Sequence, residues 1–148
     1  MDYQYKAKII KVIDGDTVDV DIDLGFDVHL TKQRIRFKGV DTPESRTRDM
    51  LEKKYGILAK DFVKSYLKVG QWATLKTFKD GKGKFGRILG DFIVYDSKKD
   101  AYVSLVGQII ENHYGVAYHG QSKDEIAESH LKNRQLLQEI IGPTTSDS

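Results

Sequence analysis

Residues 17–24, Thr-Val-Asp-Val-Asp-Ile-Asp-Leu, alternate apolar and acidic side chains almost without interruption. Successive side chains of an extended chain point to opposite faces, so Val18, Val20, Ile22 and Leu24 are expected inward and Asp19, Asp21 and Asp23 outward. A strand with one dry face is stable only within a sheet whose inner side is covered. The acidic row does not make an EF-hand loop. Counted from Asp19, the sixth position, where Gly is required, is Leu24, and the twelfth, where Glu is required, is Leu30.

The flanking segments extend this sheet. Tyr3 to Val12 reads as a strand, Asp14-Gly15-Asp16 as a turn, Val28–Leu30 as a third strand and Gln33–Val40 as its continuation. Pro43 removes a backbone donor and restricts Thr42 to extended conformations, so the run Asp41-Thr42-Pro43-Glu44 stops the strand. From Arg48 to Val69 the period becomes helical, with Leu51, Tyr55, Leu58 and Phe62 on one stripe and Gly56 weakening the first turns. Residues 72–79 and 86–95 read as strands joined by a basic, Gly-rich hairpin containing Asp80-Gly81. Ser104 caps a helix ending near His113, and Tyr114–Gly120 is a loop. A last helix covers Lys123–Glu139, with Ile126, Ala127, Leu131 and Leu137 expected on its buried side. Five strands interrupted by one helix and followed by others predict an α+β fold. The best fit is a five-stranded OB-fold barrel with about three helices; a split β-α-β sandwich also fits the pattern. Residues 1–141 are expected to form one domain and 142–148 a disordered tail.

The absence of cysteine excludes disulfides and thiolate metal sites. With no signal-peptide layout and no apolar run of membrane-spanning length, the expectation is a soluble, intracellular monomer. Charge is unevenly spread: residues 1–27 carry 3 basic and 7 acidic side chains, 28–87 carry 16 and 6, and 88–148 carry 5 and 9. A basic centre around an acidic cluster suits a polyanion-binding metal site.

Residues 34–46, RIRFKGVDTPESR, place two carboxylates and guanidinium groups at the end of one strand. Chemistry on a phosphate needs such a set: a held cation, an oriented water and Arg to meet developing negative charge. Asp16 shares the parity of the apolar residues in its strand, so its carboxylate is expected over the core end of the sheet. Asp14 and Asp80 read as turn residues. The four histidines, His29, His113, His119 and His130, show no metal-ligand spacing and are assigned no catalytic part.

The chain resembles the thermonuclease, or staphylococcal-nuclease-like, family. The resemblance is carried by Val12–Val18, by Arg36 with Gly39–Glu44, and by Lys84-Phe85-Gly86-Arg87. Weaker matches are Glu52–Gly56 and Val116-Ala117-Tyr118. It implies an OB-fold nuclease that uses one calcium ion, with magnesium or manganese less favoured, to hydrolyse DNA and RNA to 3′-phosphate products. Single-stranded DNA is the first expected substrate, with RNA and duplex DNA behind it. By the same resemblance Asp16 and Asp41 would be carboxylate ligands and Thr42 a ligand through its carbonyl. Glu44 would orient or deprotonate the attacking water, Arg36 and Arg87 would grip the scissile phosphate, and Lys84, Phe85 and Tyr118 would contact the substrate. The competing expectation is a non-catalytic OB-fold module for single-stranded nucleic acid or protein.

Overall fold

The computed structural model describes residues 3–82 and 88–141. Its elements in order are β1 (Tyr3–Asp14), β2 (Thr17–Asp23), β3 (His29–Phe37), β4 (Val40–Asp41), α1 (Met50–Tyr66) and β5 (Trp72–Lys82). They are followed by β6 (Ile88–Asp96), β7 (Ala101–Ser104), α2 (Leu105–Glu111), β8 (Val116–Ala117) and α3 (Lys123–Ile141). β1 pairs antiparallel with both β2 and β5, β2 with β3, and β5 with β6. A parallel pairing of β3 with β6, Ile35 opposite Ile88 and Phe37 opposite Gly90, closes the ring. The result is a five-stranded mixed barrel with three helices, the α+β OB-like architecture expected.

Alternation builds the interior as anticipated. Val18, Val20 and Ile22 are buried, and Ala7, Ile9, Ile35, Leu75 and Phe92 join them. Phe37 and Phe92, both buried, meet edge to face with centroids 5.8 Å apart, a favoured aromatic geometry. The pattern fails beyond Ile22. Leu24 is exposed because the β2–β3 tip turns away, with Gly25, Phe26 and Asp27 at positive φ.

Several local expectations are corrected. Val28 belongs to the tip turn, donating to Gly25 O, and β3 begins at His29. Gln33–Val40 is not one strand: Gly39 adopts φ 85, and β4 leaves the barrel to pair with β8 inside the segment expected as a loop. Asp80-Gly81 lies within β5, so the expected hairpin turn does not fall there; residues 83–87 lie outside the described residues, as does the expected tail. β7, which pairs with β6, was not anticipated. The apolar stripe of α3 is mostly uncovered: Leu137 is buried, but Ala127 and Leu131 are exposed and Ile126 only half-buried.

α1 begins at Asp49, whose carboxylate accepts from Leu51 N and Glu52 N, satisfying two donors that a helix start leaves open. Gly56, a weak point by helix propensity, has a packing reason. A Cβ there would stand 2.2 Å from Glu44 O and 2.6 Å from Ser45 N, so only Gly lets the helix lie against the loop that carries Glu44. Gly56→Ala is therefore expected to destabilise the protein although Ala is the better helix former by roughly 1 kcal/mol. Thermal unfolding followed by circular dichroism should show a loss of about 1–3 kcal/mol.

Candidate active site

Three segments meet at one end of the barrel: the β1–β2 turn, the stretch from Arg36 to Ser45, and α3. Asp16 occupies the turn, and its backbone carbonyl accepts from Phe37 N at 2.8 Å, tying it to the end of β3. Its side chain is buried. Oδ2 accepts from Thr42 N at 3.2 Å, Oδ1 accepts from Thr17 Oγ1 at 3.0 Å, and Arg36 Nη2 lies 3.4 Å from Oδ2. The same Nη2 lies 3.6 Å from Asp41 Oδ1, so one guanidinium stands between two carboxylates. Nη1 donates to Phe37 O at 2.9 Å and Val40 O at 2.8 Å, fixing the plane of the group.

Asp41 has a second partner that sequence reasoning missed. His130 Nε2 is 2.7 Å from Asp41 Oδ2, and because an ionised carboxylate only accepts, that nitrogen carries the hydrogen. The two residues are 89 positions apart, which is why ligand spacing could not reveal them. The available signal was different: His130, Asn133 and Arg134 interrupt the apolar face of α3. Asn133 Nδ2 donates to Gly115 O at 3.0 Å, so polar bonds replace the buried apolar contacts expected there.

Thr42 is buried, and among the described residues its Oγ1 has no hydrogen-bond partner. The loop after it is clamped by its backbone. Ser45 donates from both N and Oγ to Asp14 Oδ1, and Glu44 N donates to Glu52 Oε2 at 3.2 Å. Asp14, read from sequence as a turn residue, thus anchors this loop. The Glu44 carboxylate is exposed, and among the described residues it has no hydrogen-bond or ion-pair partner. A fixed backbone with a free carboxylate is suited to a group that must reach a reacting molecule.

A cleft of about 1040 Å³ opens beside these residues, between Arg36, Asp41 and Tyr118 on one side and α3 on the other. Tyr118 is half exposed and is held by its N–H donating to Gly39 O at 2.8 Å. Of the residues singled out in the sequence, Asp16, Arg36, Asp41 and Thr42 are brought together, Glu44 lies on the adjoining loop, and Tyr118 lines the cleft. Lys84, Phe85 and Arg87 lie outside the described residues.

Fold and site thus define a barrel protein with a mixed-charge cleft built on converging carboxylates and an arginine. Residues 34–138 match the model of the Staphylococcal nuclease homologue family, and the chain belongs to that family. Asp16 precedes the matched segment, and it is geometry that joins it to Arg36 and Thr42. The chain is 40% identical over 82 residues to a thermonuclease of Staphylococcus hyicus, covering 55% of this chain and 44% of that protein. It is 39% identical over 79 residues to a thermonuclease of Staphylococcus intermedius, covering 53% and 43% respectively. It is also 28% identical over 120 residues to Endonuclease YhcR of Bacillus subtilis (strain 168), covering 78% of this chain and 9% of that protein. The chain therefore spans less than half the length of these relatives.

Burial pushes the Asp16 carboxyl above its ordinary value of 3.8, while Arg36 and the hydrogen bonds from Thr42 and Thr17 act in the opposite direction. A carboxyl whose folded pKa is raised contributes stability fully present below the unfolded pKa and lost as pH rises through the folded one. In cation-free solution, Asp16→Asn is expected to remove that loss. Urea unfolding from pH 4 upward should show the wild type falling relative to the variant, then a constant difference once Asp16 has ionised.

Proposed function

We propose that this protein is a calcium-dependent nuclease hydrolysing phosphodiester bonds of DNA and RNA to 3′-phosphate products, with single-stranded DNA as its first substrate. The observation that carries this reading is the convergence of the Asp16 and Asp41 carboxylates on Arg36 beside Thr42, in a chain whose relatives are named thermonuclease and endonuclease.

The residues fit a hard divalent cation. Among the described residues no group of three or more acidic or histidine side chains forms a metal cage. Two carboxylates with the Thr42 carbonyl are a sparse, all-oxygen set, which suits calcium because calcium accepts waters and substrate oxygens in its remaining positions. The buried Thr42 Oγ1, without a hydrogen-bond partner among the described residues, is a further oxygen at this place. Magnesium and manganese take the same donor type, and a comparison of metals in the assay separates them. When bound, the cation would supply positive charge against the phosphoryl oxygens.

The chain's own groups do the rest. The Arg36 guanidinium, held flat by two carbonyls, is positioned to give hydrogen bonds to a non-bridging phosphate oxygen as charge builds there. Arg87 is assigned the second grip on that phosphate by its place in the family motif. The Glu44 carboxylate, free on a clamped loop, orients the attacking water and accepts its proton. Tyr118 offers a ring at the cleft wall on which a base can stack, and Lys84 and Phe85 are assigned contacts with the substrate backbone and bases. Among the described residues no helix is long and apolar enough to cross a membrane.

Cleavage of single-stranded DNA is the test. Calcium should support it, chelator should abolish it, and Glu44→Gln should slow it by roughly a hundredfold or more at unchanged melting temperature. Equal rates in all three conditions would sink the nuclease reading, and tight calcium-independent binding without cleavage would replace it with a binding module. Arg36→Lys, which keeps the charge but loses the planar fork, should cost roughly a hundred- to thousandfold in kcat.

A further inference from the structure

The face of α3 toward the cleft is built from Lys123, Ile126, Ala127, His130, Leu131 and Arg134. These positions recur at three- and four-residue intervals and form one stripe, about 16 Å long at a rise of roughly 1.5 Å per residue. Its middle is apolar and open: Leu131 is 55% exposed, Ala127 is exposed and Ile126 is half-buried. Each end of the stripe carries one cation; Asp124 and Glu125, which follow Lys123 in the first turn of α3, do not line the cleft. The Arg134 guanidinium lies 5.5 Å over the Tyr55 ring, and among the described residues its buried Nε has no hydrogen-bond partner and no carboxylate pairs with it. Lys123 is exposed at the other end.

An apolar stripe between two cations is an odd surface to leave to water. It is also fixed relative to the candidate site, because His130 is bonded to Asp41 and Asn133 to Gly115 O. A molecule that crosses the cleft from the carboxylates onto α3 must present anionic groups at intervals and flat apolar surface between them. A single-stranded polynucleotide has this pattern, with phosphates for Lys123 and Arg134 and base faces for the apolar middle.

We infer that this face of α3 is an extended subsite of the cleft, binding nucleotides of a single-stranded substrate that lie beyond the bond being cut. The inference rests on the nuclease reading above and adds a length requirement to it. Arg134 and Lys123 hold flanking phosphates, while Leu131, Ala127 and Ile126 contact bases or sugars. Tyr118 faces the strand from the other wall. Short substrates that occupy only the catalytic end gain nothing from α3.

The test compares a chromogenic mononucleotide diester with a single-stranded oligodeoxynucleotide long enough to reach along the helix, using wild type, Leu131→Asp and Arg134→Gln. Leu131 is exposed, so its replacement is not expected to lower the melting temperature; Arg134 also packs on Tyr55, and Leu131→Asp therefore carries the decision. The expected result is a KM for the oligonucleotide raised about tenfold relative to that for the short diester, the size of one lost base contact. Equal changes on the two substrates, or no change on either, overturn the subsite. If the wild type cleaves neither substrate, the nuclease reading fails instead. Fluorescence anisotropy of the labelled oligonucleotide then decides the subsite separately: weaker binding by Leu131→Asp supports it, and unaltered binding overturns it. A concentration-dependent dimer that Leu131→Asp dissolves would also overturn it, because the stripe would then be covered by a second copy.

Discussion

The Arg36 guanidinium is held from four directions. Its Nη1 donates to the carbonyls of Phe37 and Val40, and its Nη2 stands within ion-pair distance of Asp16 and Asp41. Two carboxylates this close to one another raise each other's energy, and a buried one also loses hydration. The Arg36 guanidinium between them offsets part of these costs, and Asp16, the more buried, still has its carboxyl pushed up by burial. The loops around the arginine are arranged so that these groups stay together.

Each neighbouring element supports that arrangement by a particular contact. The β1–β2 turn is tied to the end of β3 through Asp16 O, and Thr42 N meets the Asp16 carboxylate. The short pairing of β4 with β8 carries Asp41 out of the barrel toward α3, where His130 receives it. Asp14, Glu52 and the bare backbone of Gly56 hold the loop that presents Glu44. The polar contacts of α3 with this region also explain why its apolar residues face the cleft. The helix is anchored by His130, Asn133 and the buried Leu137, so its stripe does not need to enter the core.

Much of the barrel was legible because periodicity is a local property. The alternation through Ile22, the helical period of α1 and the Ser104 cap each depend on neighbours within a few residues and each appears in the structure, although the buried face of α1 runs through Tyr55, Ala59 and Val63 while Leu51 stays exposed. Errors fell where a distant partner overrode the local pattern. Val40 looked like the end of a barrel strand until β8 paired with it, and Gly56 looked like a defect until the Glu44 carbonyl was placed beside it. Leu131 and Ala127 carried a buried periodicity yet stand open, since amphipathic spacing shows that residues share a face and not what covers that face.

From residue order alone came the strand and helix periods, the excess of positive charge in the middle of the chain, and the clustering of Asp41, Glu44 and arginines within residues 34–46; the resemblance to the nuclease family added Arg36 and Thr42 as members of the set. These lie close along the chain, so backbone geometry alone brings them near one another. Tertiary structure decided the parallel closure of β3 on β6, the meeting of Asp16 with Thr42, the bond from His130 to Asp41 and the open face of α3. The reason is physical: hydrogen bonds and ion pairs between segments far apart in sequence impose no period on either segment. They become visible only when the chain has folded and the costs of burying each polar group must be met by a specific partner.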